Sequence, residues 1–163
     1  MTLEATTLRT PAGDLTLVAR DDVLVAAGFD SIEAMTARLE DEPVRRRRDL
    51  GRLSTATRAY FDGDVHAIDD LPVAQPGGDF HQAAWKVMRE VPAGETITYR
   101  ELAARAGNSG AIRAAGAACA RNLIAPIVPC HRIVRTGGAL GGYYYGLPVK
   151  EWLLAHERNQ PID

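Results

Sequence analysis

Leu71-Pro72-Val73-Ala74-Gln75-Pro76-Gly77-Gly78 constrains this chain more than any other stretch. Two prolines and two glycines in eight residues interrupt regular structure, because proline lacks a donor and glycine carries no preference for one backbone region. The patterns on the two sides differ. Before it, short apolar runs are broken by turn residues: Thr6 to Thr10, then Pro11-Ala12-Gly13-Asp14, then Leu15 to Ala19 reads as a hairpin. Asp21-Asp22 marks a second turn, and Val23 to Phe29 a buried strand. Asp30-Ser31 followed by Glu33 opens a helix expected to reach about Leu39, and Leu53 to Phe61 forms another. The basic run Arg45-Arg46-Arg47-Arg48 reads as a solvated loop or helix end, with a phosphate contact as the alternative.

After it, helical spacing dominates. Phe80, Ala83, Ala84, Val87, Met88 and Val91 share one face, with Trp85 adjacent. Thr98-Tyr99-Arg100-Glu101 is a capping box for a helix from Leu102 to Ala106. Gly107-Asn108-Ser109 turns the chain, and a third helix runs from about Gly110 to Ala120. A last helix spans Val149 to about Arg158. The expectation is an α/β chain with two domains. Residues 1–78, with a linker near 71–78, form a small domain of antiparallel sheet plus helices. Residues 79–163 form a mainly helical domain with a helix-turn-helix and a short strand leading into Cys130.

Charge divides along the same line. Residues 1–79 hold nine Lys/Arg and fifteen Asp/Glu, and residues 80–163 hold ten and six. The net charge of −2 argues against a uniformly basic nucleic-acid binder, but a basic back half suits a polyanion docking there. No run approaches the roughly 18 apolar residues of a membrane span. Met1 to Glu4 shows neither a basic nor an apolar leader, so a cytoplasmic location with Cys119 and Cys130 both reduced is expected.

The chemistry gathers around Pro129-Cys130-His131-Arg132, between the apolar run Ile124 to Val128 and the glycine loop Gly137 to Gly142. A thiol beside an imidazole is a nucleophile beside a base, and a neighbouring base or cation can lower a thiol enough to make thiolate at neutral pH; the alternative is a buried structural cysteine beside a surface histidine. The helix before it, Ala111-Ile112-Arg113-Ala114-Ala115-Gly116-Ala117-Ala118-Cys119-Ala120, is almost all small. Major-groove base reading needs several Asn, Gln, Arg or Lys, and here there is one arginine. Ala111, Ala114 and Gly116 leave a smooth surface for a narrow groove, with Arg113 able to hold the gap left by an extruded base. The alternative is an Ala-rich packing helix with Arg113 solvated. Cys119 reads as a packed small residue.

These segments together resemble the O6-alkylguanine-DNA alkyltransferases, or methylated-DNA–protein-cysteine S-methyltransferases. The likeness covers about residue 80 to Arg158 and, more loosely, the front half. Its centre is Ile127 to Val134. Phe80 with Trp85, Val91 to Thr96, Thr98-Tyr99, Arg113 to Gly116, Arg121-Asn122 and Gly146 to Glu157 match in order. The resemblance implies that Cys130 accepts the alkyl group, that His131 takes the thiol proton through a water, and that Glu157 orients His131. It further implies that Tyr99 donates to the extruded base, Arg113 fills the duplex, Asn122 stabilises the turns, and Tyr143 lies in the base pocket with Lys150 supporting it. The reaction would be one irreversible transfer per molecule from O6-alkylguanine, with O4-alkylthymine as a further substrate. It would be carried out by a monomer on double-stranded DNA, with no cofactor and no metal; His66 and His81 alone make no four-ligand zinc site.

Two departures stand out. Tyr144 takes a place usually small or polar, and Tyr145 one that is glycine or aromatic. Two phenols there would narrow the pocket, change its hydrogen bonding or push the loop outward. Leu123 follows Asn122 where proline is common. A non-catalytic damage-binding or regulatory protein, its pocket altered by Tyr144 and Tyr145, is therefore the competing reading. A Cys-His hydrolase unrelated to DNA is a third, disfavoured by Arg113 and the helix-turn-helix.

Overall fold

The structure, a computed structural model, describes residues 2–40 and 42–159. The chain divides into two compact units. One comprises Met1–Gln75 with Leu123–Ile127, and the other Pro76–Asn122 with Val128–Asp163. The fold is mixed α/β with a mainly antiparallel sheet.

In the first unit, β1 (Leu3–Thr10), β2 (Gly13–Arg20) and β3 (Val23–Gly28) form an antiparallel meander, and β4 (Val44–Arg46) joins β1 in parallel, giving the order β3-β2-β1-β4. The β2–β3 turn consists of Asp21 and Asp22, both at positive φ (51° and 64°), the mirror-image turn that matches strand twist. Helices α1 (Ile32–Thr36) and α2 (Arg52–Phe61) complete this unit. Ser31 caps α1 as expected, its hydroxyl accepting from Ala34 N at 3.0 Å, but the helix ends at Thr36 rather than near Leu39. Leu3, Leu15, Leu17, Leu24, Met35 and Tyr60 are fully buried at its centre.

The basic run departs from expectation. Arg45 and Arg46 lie in β4, an exposed edge strand, where Arg46 pairs with Glu33; the next residue, Arg47, meets Glu4 at 2.6 Å. An edge strand built of arginines shows no apolar alternation, so its pattern is that of a loop.

The expected strand into Cys130 is also corrected. Ile124 makes one parallel bridge to Ala27, with Ala27 N donating to Leu123 O at 2.7 Å and Ala125 N to Ala27 O at 3.0 Å, and then the chain turns. Pro126 and Pro129 supply no N–H, so a ladder cannot continue through them. Cys130–Arg132 is instead a single 3-10 turn, and the strand follows it: β6 (Ile133–Val134) pairs in parallel with β5 (Ile97–Thr98).

The second unit holds α3 (Asp79–Glu90), α4 (Tyr99–Arg105), α5 (Ile112–Ala120) and α6 (Leu147–Arg158). Ala84, Trp85, Val87 and Met88 bury one face of α3, and the Trp85 indole donates to Ala118 O on α5 at 2.9 Å. The Thr98–Glu101 capping box is complete: Glu101 N donates to the Thr98 hydroxyl at 3.0 Å, and Thr98 N to the Glu101 carboxylate at 2.9 Å. Asn108 then turns the chain, its side-chain oxygen accepting from Gly110 N at 3.1 Å. This turn joins α4 to α5, the two helices of the segment where a helix-turn-helix is expected. Among the described residues no helix is long and apolar enough to cross a membrane.

Candidate active site

Cys130 opens the 3-10 turn, only 7% exposed, with its N–H bonded to Val128 O at 2.9 Å. The buried Asn122 side chain donates to the same carbonyl at 2.8 Å and also hydrogen-bonds the thiol. Asn122 therefore fixes the turn that presents the sulfur.

Next to Cys130 in the chain begins a buried polar layer of His131, Arg132 and Glu157. His131 Nε2 is 2.8 Å from Glu157 Oε2. Arg132 grips the same carboxylate with two bonds of 2.9 Å, from Nε and Nη2, and donates Nη1 to Val91 O at 2.7 Å. A planar guanidinium matches a carboxylate in this two-point geometry. Arg132 had no expected role; the sequence places it next to His131 but gives no sign that it turns inward.

Protonation follows from these contacts. Burial alone would raise the Glu157 carboxyl. The His131 ring and the Arg132 guanidinium, both donating to it, hold it well below the usual carboxylate range. Burial pushes His131 down, more than the neighbouring Glu157 charge raises it, so the ring is neutral at pH 7. A carboxylate only accepts, so the single ring proton sits on Nε2 and leaves Nδ1 as a base. Nδ1 is buried and has no hydrogen-bond partner among the described residues.

Burial also pushes the Cys130 thiol up, against smaller lowering effects from the Asn122 hydrogen bond and the Lys150 charge. A neighbouring base or cation can lower a thiol, but here burial outweighs it. The resting group is S–H, because a desolvated site disfavours the anion.

In front of the sulfur opens a cavity of about 570 Å³, within the range of small-molecule sites, lined by Tyr99, Gly116, Cys119, Arg135, Tyr143 and Tyr144 among others. Tyr99 is the first residue of α4. Burial pushes its phenol up to about 12, so it stays a donor. Its hydroxyl lies against Gly141, where a Cβ would come within 2.8 Å and the backbone holds a φ of 71°. Cys119 is half-buried and shares the lining, so it is not merely a packed helix residue.

Tyr144 is 56% exposed and Tyr145 half-buried. The Tyr145 ring meets Tyr143 and Tyr144 edge-on, at 5.9 and 4.9 Å between centroids. The cavity therefore stays open, and the occlusion on which a non-catalytic reading relied is absent. Lys150, fully buried on α6, donates to Ile133 O at 2.8 Å, Leu140 O at 2.5 Å and Gly142 O at 3.1 Å. It thus ties the glycine loop that precedes Tyr143 to β6. Arg113 is exposed on the first turn of α5, with Ala111 and Ala114 beside it, and none of the three is among the residues lining the cavity. Among the described residues no group of three His, Cys, Asp or Glu could hold a metal ion; His66 pairs with Asp69 at 3.0 Å, and His81 packs against Trp85.

Comparison with known proteins gives a consistent result. The family described as 6-O-methylguanine DNA methyltransferase, DNA binding domain, matches residues 79–159. The methylated-DNA–protein-cysteine methyltransferase of Shigella flexneri is 45% identical over 107 residues, 66% of this chain; the match spans 63% of that relative's length. The Methanosarcina acetivorans protein of the same name is 38% identical over 151 residues, covering 90% of this chain and 93% of the relative. Among solved structures, Mycobacterium tuberculosis OGT in complex with DNA superimposes with a TM-score of 0.80 at 33% identity, covering 97% of this chain and 95% of that one.

Proposed function

Because this chain belongs to the 6-O-methylguanine DNA methyltransferase family, we propose that it repairs DNA by moving an alkyl group from O6-alkylguanine onto Cys130, once per molecule. One observation carries the reading: a buried thiol at an open cavity, backed by a neutral imidazole whose tautomer is set by a carboxylate.

The duplex docks on α4 and α5. Ala111, Ala114 and Gly116 allow close approach through the minor groove, and Arg113 enters the stack as the damaged base leaves it. The base enters the cavity against Tyr143, with Tyr144 at its edge. The thiol proton passes through a bridging water to His131 Nδ1, and Glu157 stabilises the imidazolium that forms. Sulfur attacks the alkyl carbon in line. The S–C bond forms as the C–O6 bond breaks, and its electron pair moves into guanine. Tyr99 donates to the purine as that charge develops. The proton lost by sulfur ends on guanine, so the step balances. The thioether has no route back to a thiol, and the protein is consumed.

The working partner is double-stranded DNA bearing alkylated guanine, met by a monomer in the cytoplasm. O4-alkylthymine presents a similar alkyl ether and is a second substrate. The test is stoichiometry. With a duplex labelled in the O6-methyl group and in excess, label on protein should plateau at one per chain. Continued turnover, or no labelled protein, would reject the proposal.

A further inference from the structure

Arg135 is the one charged side chain lining the Cys130 cavity among the described residues, and the transfer chemistry above gives it no task. It follows β6 directly and opens the glycine loop. Its backbone is pinned: Arg135 N donates to Ala139 O at 2.8 Å, and Gly138 N donates to Arg135 O at 3.0 Å. The side chain is exposed and forms no ion pair with a described carboxylate. Its charge acts on the Tyr99 phenol, pulling it down against the stronger effect of burial. Tyr99 in turn packs on Gly141 of the same loop. Arg135 and Tyr99 therefore line the same cavity, with Gly141 packed behind the Tyr99 hydroxyl.

An unpaired guanidinium beside a cavity otherwise lined by neutral groups suits an incoming anion. A base that leaves the stack remains tied to its backbone. When the base enters toward Cys130, its phosphates must stay outside, where an exposed cation can meet them. We infer that Arg135 is a positioning residue that clamps a phosphate flanking the extruded nucleotide at the rim of the Cys130 cavity. This rests on the base-extrusion reading above. Arg113, on α5, holds the duplex gap; Arg135, on the loop, holds the strand that has left it.

The test is equilibrium binding of the full chain to an O6-methylguanine duplex, in a Cys130→Ala background so that no transfer intervenes. Arg135→Ala should weaken binding about tenfold at moderate salt and reduce the slope of log K against log salt by about 0.9, the value for one phosphate contact. Arg135→Lys should restore the slope and part of the affinity. A neutral methylphosphonate at one flanking phosphate should weaken the Arg135 protein and leave the Arg135→Ala variant unaffected, while the same change several nucleotides away should weaken both equally. An unchanged slope, or losses that add at every phosphate, would overturn the inference, because a purely structural arginine would destabilise the loop without selecting one phosphate. A wild-type chain that transfers no alkyl group would overturn the role given to Cys130 instead, since none of these binding measurements needs transfer.

Discussion

Cys130→Ala should lose alkyl transfer outright while still binding methylated duplex with near wild-type affinity. The change removes one sulfur atom from a turn fixed by other contacts: Asn122 holds the Val128 carbonyl, and Lys150 holds the glycine loop to β6. No other group can take over. Cys119 lines the same cavity, but burial raises its thiol strongly and the nearby Cys130 raises it further. The imidazole base follows Cys130 directly in the 3-10 turn, whereas Cys119 lies on α5. Gel-shift titration beside a transfer assay separates the two properties. Residual transfer at a substantial fraction of the wild-type rate would mean that the sulfur at position 130 is not the acceptor.

Glu157→Ala should cost about 3–5 kcal/mol of stability, the range for removing one partner of a buried ion pair. Arg132 is 3% exposed and would lose both bonds to the carboxylate, leaving an uncompensated charge in the interior; His131, fully buried, would lose the hydrogen bond from its ring to Glu157. Glu157→Gln should cost less, because its carbonyl oxygen still accepts from Arg132, but it should slow transfer by releasing the His131 tautomer. The same layer makes the fold sensitive to acid. Below its ordinary value of 6.5, the His131 of the unfolded chain takes up a proton that the folded chain refuses. Stability therefore falls as pH drops below that value, until the folded group also titrates. Glu157, held below its ordinary 4.5, adds stability above 4.5 that is lost as pH falls further through its folded value. Denaturant titrations at pH 7, 6 and 5 should show a steady decline. Greater stability at pH 5 than at pH 7, or a Glu157→Ala cost below about 1 kcal/mol, would contradict the assignment of charges.

Features set by local chemistry were readable from sequence. The Thr98–Glu101 box and the Ser31 cap depend on neighbours in the chain, and the structure realises both. Features set by distant partners were not. Glu157 lies 26 residues from His131, and only the likeness to known proteins pointed to the pair. Nothing in the sequence around Arg132 shows the buried carboxylate it pairs with. The two-residue strands β5 and β6 are too short to show alternation. Ile124 to Val128 has the apolar composition of a strand, but Pro126 within it supplies no N–H and only Ile124 makes a bridge; Leu123–Ile127 groups with the first unit. The state of the thiol is hidden in sequence for a related reason: neighbouring residues show the base, whereas depth of burial is a property of the fold.

Peptide mapping of the wild-type chain after reaction with an O6-methylguanine duplex is the most direct trial of the Cys130 assignment. A mass gain of one CH2 on the peptide containing Cys130, with unmodified guanine restored in the DNA, is the predicted result. The same gain on the peptide containing Cys119, or repaired DNA with no alkylated cysteine, would contradict it.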